Sequence, residues 1–495
     1  MPLRFTAQDM RNGHPMRMGY NTDMYYAKIG NQVLKILSKY PDKELLDQVT
    51  MFRIAEKLAL YFEDIICDLG IWSSFVKKHQ ELYGKPLPFY KTEGEYYADE
   101  PHLCDIQYLI WDTLTECSED AITNPENPGI KRLAADLYLL LDEEFENAPI
   151  NEELKQFFEQ ASFLNDYIKL RDMLHWVFDG NYLVSSMTHE NACVETLLNE
   201  VETYLEMDYN DPRAEYAAFT QCYFKFKVGP LALYPKEWLA MILRYNGQEK
   251  GVKKVEQITY HNYDLYRLEK FDKERIYLCD SDNMHFSIRK DDYGDMLDDT
   301  LRETDGCIAA FVYYDGEWHP NGMDAWNKFE DSHNAIREYK RRYRTGISKG
   351  TFKKLMKKSG GSPLFFFRDG EELHRFSIEE MGVPEHLPQP SELDSEEYIT
   401  MWMPSYDKDF FLMPDSALGI KDPRNPYYDA ERASESLQAM IFSPTGAPAD
   451  MLEYLESHQM IPDAGMNHYL GKEDGQRLIH ENLDFIVRTM RRENY

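Results

Sequence analysis

The chain has 495 residues, of which 43% are hydrophobic and 14% aromatic, and its formal net charge is −32. Apolar content at that level excludes a disordered chain and supplies cores for about two to four domains. No apolar run approaches the roughly 18 residues of a membrane-spanning helix, so no membrane contact is expected, and the acidic field repels nucleic acid except at a local basic patch.

The N-terminal Met1 to Met18 has basic residues but no apolar segment, unlike a secretory signal. Seven cysteines with no Cys-x-x-Cys pair fit reduced thiols and a cytoplasmic location. Residues 1–20 read as an irregular lead-in. Asn21-Thr22-Asp23 then offers an N-cap for a helix to about Tyr40, stopped by Pro41. From Asp42, apolar residues from Leu45 to Ile66 recur at helical spacing, and Gly70 breaks the pattern before a helix over 71–83. After a loop to Tyr97, Asp99-Glu100-Pro101 opens another helix, with acid and proline where a first turn takes them. Helices are predicted at about 128–146, 151–178, 188–208, 211–226 and 235–245, so residues 20–245 read as an all-α domain of packed antiparallel helices.

Asn21-Thr22-Asp23-Met24-Tyr25-Tyr26-Ala27-Lys28-Ile29, with the helical tract behind it, resembles the opening of an uncharacterised domain-of-unknown-function family of gut-anaerobe bacterial proteins. The resemblance implies a bacterial cytoplasmic protein and carries over no active-site residues.

Residues 252–320 read differently. Met284-His285-Phe286-Ser287-Ile288-Arg289 alternates strictly, which puts Met284, Phe286 and Ile288 on one face of a half-buried strand. Arg275 to Cys279 is a second strand, joined to it by the turn residues Asp280 to Asn283. Tyr263 to Leu268 and Cys307 to Tyr314 are further strands, the latter followed by the hairpin signal Asp315-Gly316. Several short strands with tight turns imply a small SH3-like or OB-like barrel. Peptide or nucleic-acid binding would follow only by analogy of fold, and a structural insert is the plainer reading.

Residues 323–495 read as a mixed α/β region. Met323 to Tyr343 and Thr351 to Lys358 are predicted helices, and Leu364 to Arg368 and Leu373 to Ser377 a hairpin about Asp369-Gly370. Residues 382–396 form a proline-rich, acidic linker. Tyr398 to Met403 pairs with Asp409 to Met413, and helices follow at about 428–442, 447–459 and 472–492.

The sharpest chemical feature is the basic segment Arg337, Lys340, Arg341, Arg342, Arg344, Lys349, Lys353, Lys354, Lys357 and Lys358. Opposed only by Glu338, it carries +9 and leaves −41 for the rest of the chain. Tyr339, Tyr343 and Phe352 are interleaved and suit stacking on bases. Docking on an acidic face of this chain, or of a second copy, is the plainer account. Gly346-Ile347-Ser348-Lys349-Gly350 matches a nucleophile elbow by pattern, but a charged helix precedes it, so a helix start capped by Ser348 is expected instead.

Metal and acid–base candidates are thin. His189 and Cys193 lie one helical turn apart, and His480-Glu481 has Asp484 where a second histidine would be needed. Asp172 and His175 share a helix face, where a satisfied core histidine is the default. Asp280 to Asp291 lacks the glycine of a calcium loop, and Gly465 to Lys472 lacks phosphate-loop spacing. No cofactor and no metal is assigned.

The sequence thus implies an α+β protein with an N-terminal helical domain, a central β-barrel-like module, and a mixed C-terminal region of helices and hairpins. The expected role is a non-catalytic binding or assembly module that takes a protein partner or a second copy. Nucleic-acid association through residues 337–358 and a metal-dependent hydrolase are the alternatives.

Overall fold

In a computed structural model, residues 3–40, 46–92, 94–117, 122–205, 211–280, 283–293, 297–328, 348–383, 396–406, 410–443, 446–461, 469–492 and 495 are described. They belong to two compact units, residues 1–119 with 123–336 and residues 120–122 with 337–495, and the fold is α+β.

The first unit begins with helices α1 (Ala7–Gly13), α2 (Asp23–Leu37), α3 (Gln48–Cys67), α4 (Ile71–Tyr83), α5 (Leu103–Glu116) and α6 (Pro128–Phe145). Asp47 caps α3 by accepting from the Thr50 amide, and left-handed Asp68 ends it. The carboxylate of Asp64 then accepts from the Ile71 and Trp72 amides, so a buried residue of α3 caps α4. Helix α5 is buried from Cys104 to Thr115, as a helix at the centre of a bundle must be.

Several expectations need correction. The lead-in contains α1, whose Thr6 and Asp9 form a capping pair; with Met10 its only buried residue, it is too short to show a period. Thr22 makes no side-chain cap to α2, and α5 starts at Leu103, with His102 accepting from the Cys104 amide. The tract 151–178 is broken. Left-handed Ala161 ends α7 (Glu152–Gln160), and Asp166 caps α8 (Tyr167–His175), which runs into a π-turn at Trp176–Gly180. Helices α9 (Met187–Leu205), α10 (Pro212–Lys225), α11 (Pro235–Tyr245) and α12 (Glu249–Glu256) follow, so the start of the presumed β module is helical.

Strands β1 (Thr259–Phe271), β2 (Arg275–Cys279), β3 (His285–Arg289), β4 (Gly306–Tyr314) and β5 (Glu317–Asn327) close a barrel in the order β1-β2-β3-β5-β4. Long β1 pairs with β4 through its first half and with β2 through its second. Ile288 of β3 and Trp318 of β5 form a parallel pair, and helix α13 (Leu297–Glu303) lies between β3 and β4. That strand order, the parallel pair and the intervening helix choose the OB-type barrel over the SH3-like one. Tyr266, Ile276, Leu278, Ile288 and Phe311 fill the interior, joined by Leu301 of α13. The alternation holds over 285–289, with Phe286 and Ile288 inward, but Met284 precedes β3 and is not part of the interior cluster. Both turn residues of Asp315-Gly316 have positive φ, as a tight hairpin needs. Met323 to Asn327 belongs to β5, not to a helix, because β4 supplies its partners as far as Gly306↔Asn327; residues 329–347 lie outside the described set.

In the second unit, α14 (Lys349–Lys358) packs Leu355 on a sheet of β6 (Leu364–Asp369), β7 (Glu397–Trp402) and β8 (Phe411–Met413). The expected pairing of β7 with β8 is present. The hairpin at 364–377 is not. Asp369 accepts from the Glu372 amide and caps helix α15 (Gly370–Phe376), and β6 pairs with β7 instead. Helices α16 (Ala433–Phe442), α17 (Ala449–Ser457) and α18 (Lys472–Arg491) complete the unit. The predicted linker falls largely on residues 384–395, outside the described set. Among the described residues, no helix is long and apolar enough to cross a membrane.

Candidate functional site

The barrel is attached to the helices through β1, β4 and β5, with Tyr260 of β1 bonded to Gln221 and stacked on Phe224. Asn321 donates to the Thr220 carbonyl at 2.9 Å, Tyr314 to that of Leu164 at 2.6 Å, and Tyr167 stacks on His319. Gly322 (φ +81°) comes so close to α10 that an added Cβ would sit 2.6 Å from Thr220 Oγ1.

The outer faces of β1, β2 and β3 carry a different population of residues. Directly opposed residues of an antiparallel pair share a face. The pairs Arg275↔Arg289, Tyr277↔Ser287 and Cys279↔His285 therefore project outward, opposite to the inward pairs Ile276↔Ile288 and Leu278↔Phe286. Arg275 is held by Ser287 Oγ at 2.9 Å and Glu317 at 2.6 Å, and the Lys270 ammonium lies 4.5 Å from the centre of the Tyr277 ring. Arg289 pairs with Asp291 at 3.3 Å and Arg267 with Glu269 at 3.8 Å. The face is thus a mosaic of compensated charges about a fixed tyrosine.

At its upper end three potential ligand residues converge. Glu269 follows the inward Leu268 and so points outward by ordinary alternation, while the register slip between Leu268 and Lys270 sets Lys270 outward beside it, opposite Tyr277. Glu269 Oε2 lies 3.0 Å from His285 Nδ1, and donor atoms of Glu269, Cys279 and His285 all fall within 4.8 Å of one another. Sequence reading missed this cluster. The hairpin of β2 and β3 was legible and pairs Cys279 with His285, but the pairing of β1 with β2 that brings Glu269 beside them is tertiary and has no local sequence signature.

The residues singled out from sequence are not brought together. Arg337, Lys340, Arg341, Arg342 and Arg344 lie outside the described residues. Lys349, Lys353, Lys354, Lys357 and Lys358 are on α14, whose start Ser348 caps by accepting from the Thr351 amide at 3.1 Å. Lys354 and Lys358 both pair with Glu380, at 2.9 and 2.6 Å, and hold its carboxyl below the ordinary range through those hydrogen bonds. Lys349 sits over the Tyr406 ring, and Phe352 is partly buried against the core of this unit and near the same ring. Lys353 and Lys357 are exposed, without an ion-pair partner among the described residues.

His175 is oriented by Asp179, at 3.3 Å, one turn after it rather than by Asp172. Hydrogen bonding to His175 helps hold Asp179 below the ordinary carboxylate range, whereas burial, and then the Asp179 charge, push Glu190 up to about 9. Cys193 is buried, and His480 is an exposed residue paired with Glu456 at 3.0 Å. A groove of about 410 Å³ between α4 and α11 has Lys77, Lys78, Lys236 and Arg244 beside Glu81, Glu237 and Glu256, so most of its charges offset one another.

Deeper in the helices, His14 Nε2 meets Glu63 Oε2 at 2.6 Å, and Asn151 donates to Glu63 Oε1 at 2.9 Å. Burial opposes charge on His14, but the hydrogen bond and charge of Glu63 outweigh it and raise its pKa. Burial lifts Asp64 to about 6 and Asp105 to about 7, although both accept tyrosine hydroxyls.

Fold and face together define an α+β protein carrying an OB-type barrel on a helical body. The chain belongs to a family described as a protein of unknown function, DUF3843, whose model matches residues 6–264 and 332–492, the Asn21–Ile29 opening included. Residues 265–331, which hold most of the barrel, fall between the matched segments. No curated protein and no solved structure matches the chain.

Proposed function

We propose that the chain is a binding and assembly module without catalysis, and that the outer face of β1–β2–β3 takes a protein partner. The observation that carries this reading is Tyr277 and Arg275 at successive outward positions of β2, Tyr277 under Lys270 and bonded to Asp272, Arg275 held by Ser287 and Glu317. Tyrosine and arginine dominate interface energetics, and side chains already locked by hydrogen bonds lose little entropy on binding. Compensated cations on this face favour a protein over a polyanion, since nucleic-acid affinity comes from releasing counterions around uncompensated charge.

The test is co-purification from the native cell with wild-type chain and with Tyr277→Ala/Arg275→Ala, alongside sedimentation of purified protein to detect self-association. A partner or dimer retained by wild type and lost by the variant, at equal melting temperature, supports the reading; equal retention refutes it.

A second reading, nucleic-acid contact through α14, is favoured by the exposure of Lys353 and Lys357. We also assign the protein to a bacterial cytoplasm. None of its seven cysteines is joined in a disulfide, which suits a reducing compartment.

A further inference from the structure

We propose that Glu269, Cys279 and His285 form a three-ligand transition-metal site on the outer face of the barrel, matched to Zn2+. The inference does not depend on the partner-binding reading.

Geometry comes first. Cys279 and His285 are register partners in neighbouring strands, so their side chains leave the sheet side by side. Glu269 reaches them from the neighbouring strand β1, where it follows the inward Leu268 and so shares their outer face. Its two carboxylate oxygens are divided: Oε1 faces Arg267 at 3.8 Å, and Oε2 faces His285. The 3.0 Å between Glu269 Oε2 and His285 Nδ1 is close to the edge, about 3.3 Å, of a tetrahedron built on metal bonds of about 2.0 Å. Drawing the thiol in from within 4.8 Å needs only a side-chain adjustment.

Donor chemistry then selects the ion. A thiolate, an imidazole and a carboxylate suit Zn2+, whereas Ca2+ and Mg2+ take oxygen ligands. Access differs across the site. Cys279 is 2% exposed and forms its floor, while the side chains of His285 and Glu269 are 61% and 32% exposed. A tetrahedral ion held by these three would keep its fourth position toward solvent, for water. Binding replaces the Cys279 thiol proton, which leaves to solvent, so affinity rises with pH.

The experiment uses the full chain, reduced and stripped of metal, titrated with Co2+. Wild type is expected to take up one equivalent, with a near-ultraviolet thiolate-to-cobalt band and the visible bands of tetrahedral Co2+, both bleached by Zn2+. Cys279→Ser should abolish the thiolate band. His285→Gln and Glu269→Gln alter exposed side chains, so their metal-free melting curves should match wild type while Co2+ affinity falls at least about tenfold. If Cys279→Ser fails to fold, those two variants decide the matter. A wild-type chain without the thiolate–cobalt band, or full affinity in His285→Gln, overturns the proposal.

Discussion

Two histidine–glutamate pairs in the first unit share residue types and nearly the same distance, yet the fold puts them to opposite uses. His14 and Glu63 meet at 2.6 Å with exposures of 2% and 1%; His14 Nδ1 is occupied by the Met18 carbonyl, and the second oxygen of Glu63 by Asn151. His285 and Glu269 meet at 3.0 Å with 61% and 32% exposure, beside a buried thiol. Solvent access decides the difference. A sealed pair with every atom occupied joins α3 to the segment before α2 and, through Asn151, to the start of α7, and has no room for a ligand. An open pair adds little to stability and keeps its donor atoms available.

The largest effect should come from breaking the sealed pair. Glu63→Ala leaves the His14 ring and the Asn151 amide buried without their partner, a loss of about 5 kcal/mol in denaturant melts. Glu269→Ala, which removes an exposed pair, should cost under about 1 kcal/mol. Similar losses for the two variants would erase the contrast.

Next comes pH. Burial places the folded pKa of Asp105 at about 7, above its ordinary 3.8, and that of Asp64 at about 6. An acid raised on folding contributes its full stability below the unfolded pKa and loses it as pH climbs through the folded value. His14, also raised, has the same sign and loses its contribution above its ordinary 6.5. The helical body should therefore weaken between about pH 4 and pH 8. Asp105→Asn, with an amide oxygen still able to accept from Tyr61 or Tyr96, should flatten the curve by up to about 4 kcal/mol. Parallel curves for variant and wild type would show that Asp105 is not the titrating group.

A smaller effect tests the attachment of the barrel to α10. Gly322→Ala puts a Cβ against Thr220, Gln221 and Tyr263 at a left-handed φ, and should cost about 2 kcal/mol. An unchanged melting temperature would mean that barrel and α10 are not held as closely as these distances require.

How much of this was legible depended on whether the signal was local. Asp315-Gly316 and Asp369-Gly370 are the same dipeptide after a run of apolar residues. The first is a hairpin turn because β5 returns along β4. The second caps α15, since Glu371, Glu372 and Leu373 continue as helix and the partner of β6 is 28 residues or more away in β7. Tertiary pairing, not the dipeptide, settles which fate wins. Strand alternation over 285–289 and most of the longer helices were readable, because a single face sets each pattern. The placing of Glu269 beside β2, the break at Ala161 and the carboxylates buried at Asp64 and Asp105 were not, because they depend on neighbours distant in sequence.

The smallest effect separates the lysines of α14. Lys354 and Lys358 share Glu380, whereas Lys353 and Lys357 face outward from the same helix. Lys353→Gln/Lys357→Gln should leave the melting temperature unchanged, and Lys354→Gln/Lys358→Gln should lower it only slightly, the more so at low salt, where an exposed pair is least screened. The same variants discriminate the two partner classes. If a single-stranded oligonucleotide binds at low salt, the loss should follow Lys353 and Lys357, and the slope of affinity against salt should shrink by about 1 to 2. If binding is absent at low salt, α14 is a packed helix whose paired lysines fasten it to its own unit.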